Sequence, residues 1–304
     1  MLGNANLLEA SLARFEKYQK WLQRQPLSAQ TRRAYLSRIQ GFLGFLGESG
    51  EDLRALVAND QERKHVLQDY KRYLKQELKL LPASVNANLT ATDHFLQFLG
   101  ATATKIARED LPQEAPRAMS KKEQQLFLRA VAACRRNKDR AVALLLFYSG
   151  IRISECIQLN VDDVSVIGRK NRVVVRSGKG DKYREIPLHP DARDAIKEWL
   201  DERVKKFDEN KKFNSKTISE ALFLNPQGKR LSTASLDLIV RKIGQSCGLE
   251  LSAHVLRHSC LTNLVRNGND LVLVAEIGGH KRLETTKRYT LPTDEAKQKA
   301  ITGL

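Results

Sequence analysis

Apolar positions return every three to four residues through most of the first hundred positions, the spacing that lines one face of an α-helix. Leu7 to Leu22 carries one such stripe. A second runs through TRRAYLSRIQGFLGFLG, where Tyr35, Ile39, Phe42 and Leu46 share a face behind an expected N-cap at Ser28. Val66, Tyr70 and Leu74 mark a third helix, and Leu89, Phe95, Leu96 and Leu99 a last one, with its cap expected at Ser84 after Leu81-Pro82. Residues 1–105 are therefore expected to form a helical domain. In ATATKIAREDLPQEAPRA the period is lost among small, charged and proline residues, so 106–118 is expected to be an interdomain linker.

From 119 to 304 the pattern is mixed. Ser120 and Glu123 form a capping-box pair before LFLRAVAAC. AVALLLFYSG, apolar on all sides, predicts a buried helix ending near Gly150, which puts Arg152 at the entry of the next one. NRVVVRSGKGDKYREIPL sets β-branched residues on both sides of a glycine-containing turn and predicts a hairpin. Asp191 to Phe207 reads as helix, ALFLNPQGKRLS as a short strand and turn, and Leu236, Ile239, Val240 and Ile243 as the core face of a helix capped by Ser232 and closed by Gly248. Ala253, Leu256, Cys260 and Leu264 form the stripe of a further helix that stops at Asn267-Gly268. The expected fold is mainly α with a small β-sheet: a helical domain, a linker and an α+β domain over 119–304.

Charge narrows the possible partners. The 304-residue chain carries 52 basic against 35 acidic side chains, a formal +17, which points to a polyanion. No long uncharged apolar run would span a membrane, and the Met-Leu-Gly-Asn start lacks the blocks of a secretory signal, so a cytoplasmic protein on nucleic acid is expected. Arg32, Arg33 and Arg38 lie on the basic face of the second helix, and Lys229 and Arg230 in the later turn; each fits a phosphate contact or a solvated surface equally. Cys134, Cys156, Cys247 and Cys260 form no CxxC pair, and no HExxH motif occurs, so neither a metal nor a cofactor is expected.

The candidate chemistry lies near the C-terminus. His254 and Arg257, three apart, share a helix face and can hold an anion together. They are followed by Gly279-His280 and, nine positions later, by Tyr289. Arginine binds two phosphate oxygens with a charge that persists at any working pH. Tyrosine can act as a covalent nucleophile when its phenol is aligned. Taken singly, each feature also fits an ordinary surface pair or packed tyrosine, and Arg152 with Glu155 fits a structural salt bridge.

The order of these features is more specific. LSAHVLRHSCLTNLVRNGNDLVLVAEIGGHKRLETTKRYT resembles the C-terminal signature of the tyrosine recombinases, the integrase and Xer-like family, and SGIRISECIQLNVDDV resembles the segment carrying their first catalytic arginine. The similarity covers most of 119–291. The resemblance implies that Arg152 and Arg257 are the two catalytic arginines, Glu155 an orienting acid, His254 and His280 the two histidines, and Tyr289 the nucleophile. It also implies that Lys179, rather than its neighbour Lys182, is the hairpin lysine that protonates the leaving oxygen. Gly278-Gly279 replaces the more familiar Leu-Gly, and Ser252-Ala253 the frequent Thr-Pro, with no reactive group lost.

By the same resemblance residues 1–105 would be a core-binding, SAM-like DNA-binding domain. The partners would be double-stranded DNA with paired recombination sites, engaged by a homotetramer on two sites, with the tail after Tyr289 docked on a neighbouring protomer. Two other readings share these features: a type IB topoisomerase, and a catalytically silent DNA-binding or architectural protein.

Overall fold

The computed structural model describes residues 2–111, 115–168, 170–176, 183–208, 218–292, 298 and 301–302, the first nine as backbone only. The chain forms two compact units, Met1–Pro112 and Gln113–Leu304.

The first unit holds five helices, α1 (Leu2–Gln23), α2 (Ala29–Ser49), α3 (Leu53–Ala58), α4 (Asp60–Gln76) and α5 (Pro82–Phe98). Their apolar stripes meet in one core containing Tyr18, Leu22, Ile39, Phe42, Leu46, Tyr70, Leu74, Leu89 and Phe95. Ser28 caps α2 by accepting from the Thr31 amide. α5 begins two residues before the expected Ser84 cap, because Pro82 occupies its first turn, where a missing N–H costs nothing.

The segment after α5, including part of the expected linker, is fastened to this unit. Buried Arg63 donates to Leu56 O at 2.7 Å, Thr102 Oγ1 at 2.7 Å and Thr104 Oγ1 at 2.6 Å. Lys71 donates to Ala107 O, Asn86 pairs with the backbone of Glu109 at both N and O, and the Glu109 carboxylate bridges Lys71 and Lys75 at 2.7 and 2.8 Å. Polar side chains on α4 and α5 thus supply the partners that a strand or helix would otherwise provide.

The second unit is built round α7 (Asn137–Ser149), buried at Ala141, Val142, Ala143, Leu145, Leu146 and Phe147 and packed by α6 (Lys121–Ala132), α9 (Pro190–Arg203), α10 (Thr233–Ser246) and α11 (Ala253–Arg266). The capping box of Ser120 and Glu123 is formed in both directions. Between α8 (Ile153–Gln158) and α9 lies an antiparallel sheet in the order β1 (Val164–Ser165), β2 (Arg172–Arg176), β3 (Tyr183–Pro187). Pairing of Val173 with Ile186 and of Val175 with Arg184 sets Ile186 and Arg184 on the same face of β3. The unit closes with α12 (Leu271–Gly278), α13 (Leu283–Lys287) and a 3-10 turn, Arg288–Thr290. Among the described residues no helix is long and apolar enough to cross a membrane.

Candidate active site

Two chain reversals and a helix cap put the candidate groups together. α7 ends at Gly150 in the left-handed conformation, φ 61°, and two residues later Arg152 occupies the N-cap of α8. α12 likewise ends at Gly279, φ 63°, which turns the chain so that His280 points back toward α11. Ser252 caps α11 and starts it one residue before His254.

Arg257 is the hub. It is 4% exposed, donates to the carbonyls of Gly150 and Gly278, and its Nη2 lies 2.8 Å from His280 Nε2. Both carbonyls stand at helix C-termini, where the negative end of the dipole favours a cation. Burial and the neighbouring Arg152 charge nonetheless push this guanidinium down to about 10, so it remains charged at neutral pH. Because a guanidinium only donates, His280 Nε2 must accept, and the proton of the neutral ring then sits on Nδ1, which donates to Thr286 Oγ1 at 2.8 Å. Burial and Arg257 lower His280 to about 4, consistent with that neutral ring. Thr286 is fully buried inside α13 and anchors this histidine.

Arg152 donates to Gly279 O at 2.9 Å and to Glu155 Oε1 at 3.0 Å, while the other carboxylate oxygen of Glu155 accepts the Arg152 amide at 2.8 Å. Glu155 is also gripped by both Nη atoms of Arg184, at 3.1 and 2.8 Å. Burial would raise this carboxyl, but the bonds from Arg184 and the Arg152 amide, with the two guanidinium charges, hold it below the usual carboxylate range. Arg184 Nε donates in turn to Ile277 O at 2.9 Å, tying β3 to α12. The salt-bridge and the orienting readings of Glu155 therefore describe one arrangement.

A cleft of about 490 Å³ is lined by Arg152, Ser154, Asp237, His254 and Arg257 among others. His254 is exposed there; partial burial, then Arg257 and Arg288, lower its pKa. Tyr289 does not line the cleft. It is 6% exposed and packs with Leu261 and Val274, its ring parallel to His280 at 5.9 Å between centroids. Burial raises its phenol and the charges of Arg257, Arg288 and Arg152 oppose that rise. Its hydroxyl lies 3.0 Å from Nδ1 of His258.

Of the expected residues, Arg152, Glu155, His254, Arg257, His280 and Tyr289 thus meet in one region, and Lys179 and Lys182 lie outside the described residues, as does most of the tail. Among the expected DNA contacts, Arg33 and Lys229 are exposed and Arg38 half-buried. Arg32 donates to Gln23 O at the end of α1, and Arg230 to Ile157 O, Leu159 O and Asn160 Oδ1 at the end of α8, so both serve as helix-end fasteners. Arg184 and His258 went unread in the sequence. Arg184 shows there as a cation on the inward side of an alternating strand, and His258 as the residue one helical turn past His254.

Gly279 gives a direct check on this frame. A Cβ there would stand 2.7 Å from Arg184 Nη1 and 3.1 Å from Arg152 Nη1, at a φ that other residues adopt at about 1–2 kcal/mol. Gly279→Ala is expected to cut single-turnover cleavage of DNA roughly 10²-fold by displacing Arg152, with a small drop in melting temperature. A wild-type rate would show that this turn does not set the arginine.

Residues 117–296 match the family model described as the phage integrase family. Tyrosine recombinase XerA of Thermococcus kodakarensis is 30% identical over 290 residues, 94% of this chain and 93% of that protein. Tyrosine recombinase XerD of Corynebacterium glutamicum is 30% identical over 292 residues, 91% of this chain and 92% of that one. Among solved structures, XerH bound to a palindromic difH substrate in a post-cleavage complex superposes with a TM-score of 0.70 at 22% identity, covering 90% of this chain and 78% of that one, a shared fold. With the family model spanning more than half of it and XerA nearly all of it, the chain belongs to the phage integrase family of tyrosine recombinases, enzymes that cleave and rejoin DNA in site-specific recombination.

Proposed function

We propose that Tyr289 attacks a DNA phosphate held in the cleft, forming a 3′-phosphotyrosyl bond and releasing a 5′-hydroxyl. Arg152, Arg257 and His254 bind the non-bridging oxygens, where negative charge grows in the pentavalent transition state. Glu155 and Arg184 hold Arg152 in place, and Lys179 protonates the leaving oxygen, which would otherwise depart as a basic alkoxide. His280 fixes Arg257 and flanks the phenol. The 5′-hydroxyl of a partner strand then attacks the phosphotyrosine, so the bond energy is kept and strands exchange through a Holliday junction.

The observation that carries this reading is the convergence of five groups from four separate elements: Arg152, His254 and Arg257 line one cleft, His280 lies against Arg257, and the Tyr289 ring lies parallel to that of His280. The partner is double-stranded DNA with paired sites, in keeping with the difH-bound relative. The net charge of +17 supports a polyanionic partner for the chain as a whole, and exposed Arg33 on α2 is the contact proposed for the first unit, whose interactions should weaken with added salt. Four protomers on two sites, tail docking between neighbours and a cytoplasmic location complete the proposal. The test is a nicked suicide substrate together with two distinguishable duplexes. A covalent adduct and exchanged products are expected. Relaxation of supercoils without exchange would favour topoisomerase action, and binding without an adduct a silent binder.

A further inference from the structure

His258 touches the reacting phenol yet has no part in the set above. It lies one turn beyond His254 on α11, the two rings edge to face with centroids 4.1 Å apart, and its Nδ1 is 3.0 Å from Tyr289 Oη. The alternatives are occupied: both ring nitrogens of His280 are taken, by Arg257 and Thr286, and His254 opens on the cleft where phosphate oxygens would sit. The Arg257 charge acts on the phenolic oxygen, so the lone pairs turn toward the guanidinium and the hydrogen toward His258.

Resting on the reading of Tyr289 as nucleophile, we propose that His258 is the base of the cleavage step. As Oη bonds to phosphorus its proton passes to His258 Nδ1, while the P–O5′ bond breaks and O5′ takes a proton from the separate acid. In rejoining, the incoming 5′-hydroxyl gives its proton back to that acid's conjugate base as the P–O5′ bond forms, and the departing phenolate recovers its own from His258. Every bond made is matched by one broken, and no further reactant is needed.

The surroundings fit this role. Burial first, then His254 and Arg257 on the same helix, Arg288 on the 3-10 turn and His280 beyond α12, press His258 down to about 4, so it is neutral and able to accept at pH 7. A phosphate against Arg152, His254 and Arg257 offsets the arginine charges and makes the imidazole more basic when the phenol must lose its proton.

The test is single-turnover cleavage by the full chain. His258→Asn keeps an oxygen that can accept from the phenol but takes no proton. Its rate is expected to fall about 10²- to 10³-fold and to keep rising with pH as hydroxide takes over, whereas the wild-type rate levels once His258 is neutral. On DNA whose bridging 5′-oxygen is replaced by sulfur the leaving group needs no acid. Lys179→Ala is expected to recover on that substrate and His258→Asn is not. A His258→Asn rate within threefold of wild type, or one restored by the sulfur, overturns the proposal while Tyr289→Phe remains inert. An adduct in Tyr289→Phe overturns the nucleophile reading, and this one with it. If His258→Asn melts early, His258→Gln carries the same expectations.

Discussion

Tyr289→Phe will form no covalent adduct with suicide DNA, its cleavage rate falling roughly 10⁴-fold or more. Phenylalanine keeps the ring that packs on Leu261, Val274 and His280 and loses only the oxygen bonded to His258. The expected cost in stability is about 1 kcal/mol, that of one hydrogen bond. DNA affinity should be unchanged, since Tyr289 does not line the cleft. Gel analysis of trapped complexes, with binding measured in parallel at fixed salt, checks both halves. Retained cleavage would mean that another group attacks.

Arg257→Ala combines a chemical with a structural loss. The guanidinium faces the cleft, so its removal should slow cleavage about 10³-fold or more, beyond the effect of a neutral oxyanion donor. The Gly150 and Gly278 carbonyls also lose their donor in a buried place, at a cost of roughly 2–4 kcal/mol, and the melting temperature should drop by roughly 5–15 °C. Arg257→Lys should remain nearly as impaired, because one ammonium cannot reproduce the planar fork that reaches two carbonyls and His280 at once. Paired melting and single-turnover measurements decide. A variant with wild-type stability but no cleavage would remove Arg257 from the frame and leave it in the chemistry alone.

What could be read from the chain follows the range of the interaction. Ile39, Phe42 and Leu46 announce a helix because their partners recur within a few residues, and Ser28, Ser120 and Ser232 announce helix starts because each caps an amide three positions on. Arg152, His254, Arg257, His280 and Tyr289 were recognisable only through motif order, since no local period connects positions more than a hundred apart. Contacts that depend on the assembled unit left weaker traces. Arg184 meets Glu155 across 29 positions, and His258 meets Tyr289 across 31. Arg32 and Arg230 look in sequence like any basic surface residue, and the carbonyl-rich helix ends that engage them exist only after folding.

The position of Arg257 between two helix ends bears on how such a molecule would decay. Its charge serves architecture and reactivity together, so mutational drift could not erase it without also loosening the domain. The phenol carries no comparable structural duty. In a descendant lineage that keeps its hold on DNA but abandons strand cutting, the tyrosine would disappear first and the buried guanidinium would persist as a relic of the lost reaction.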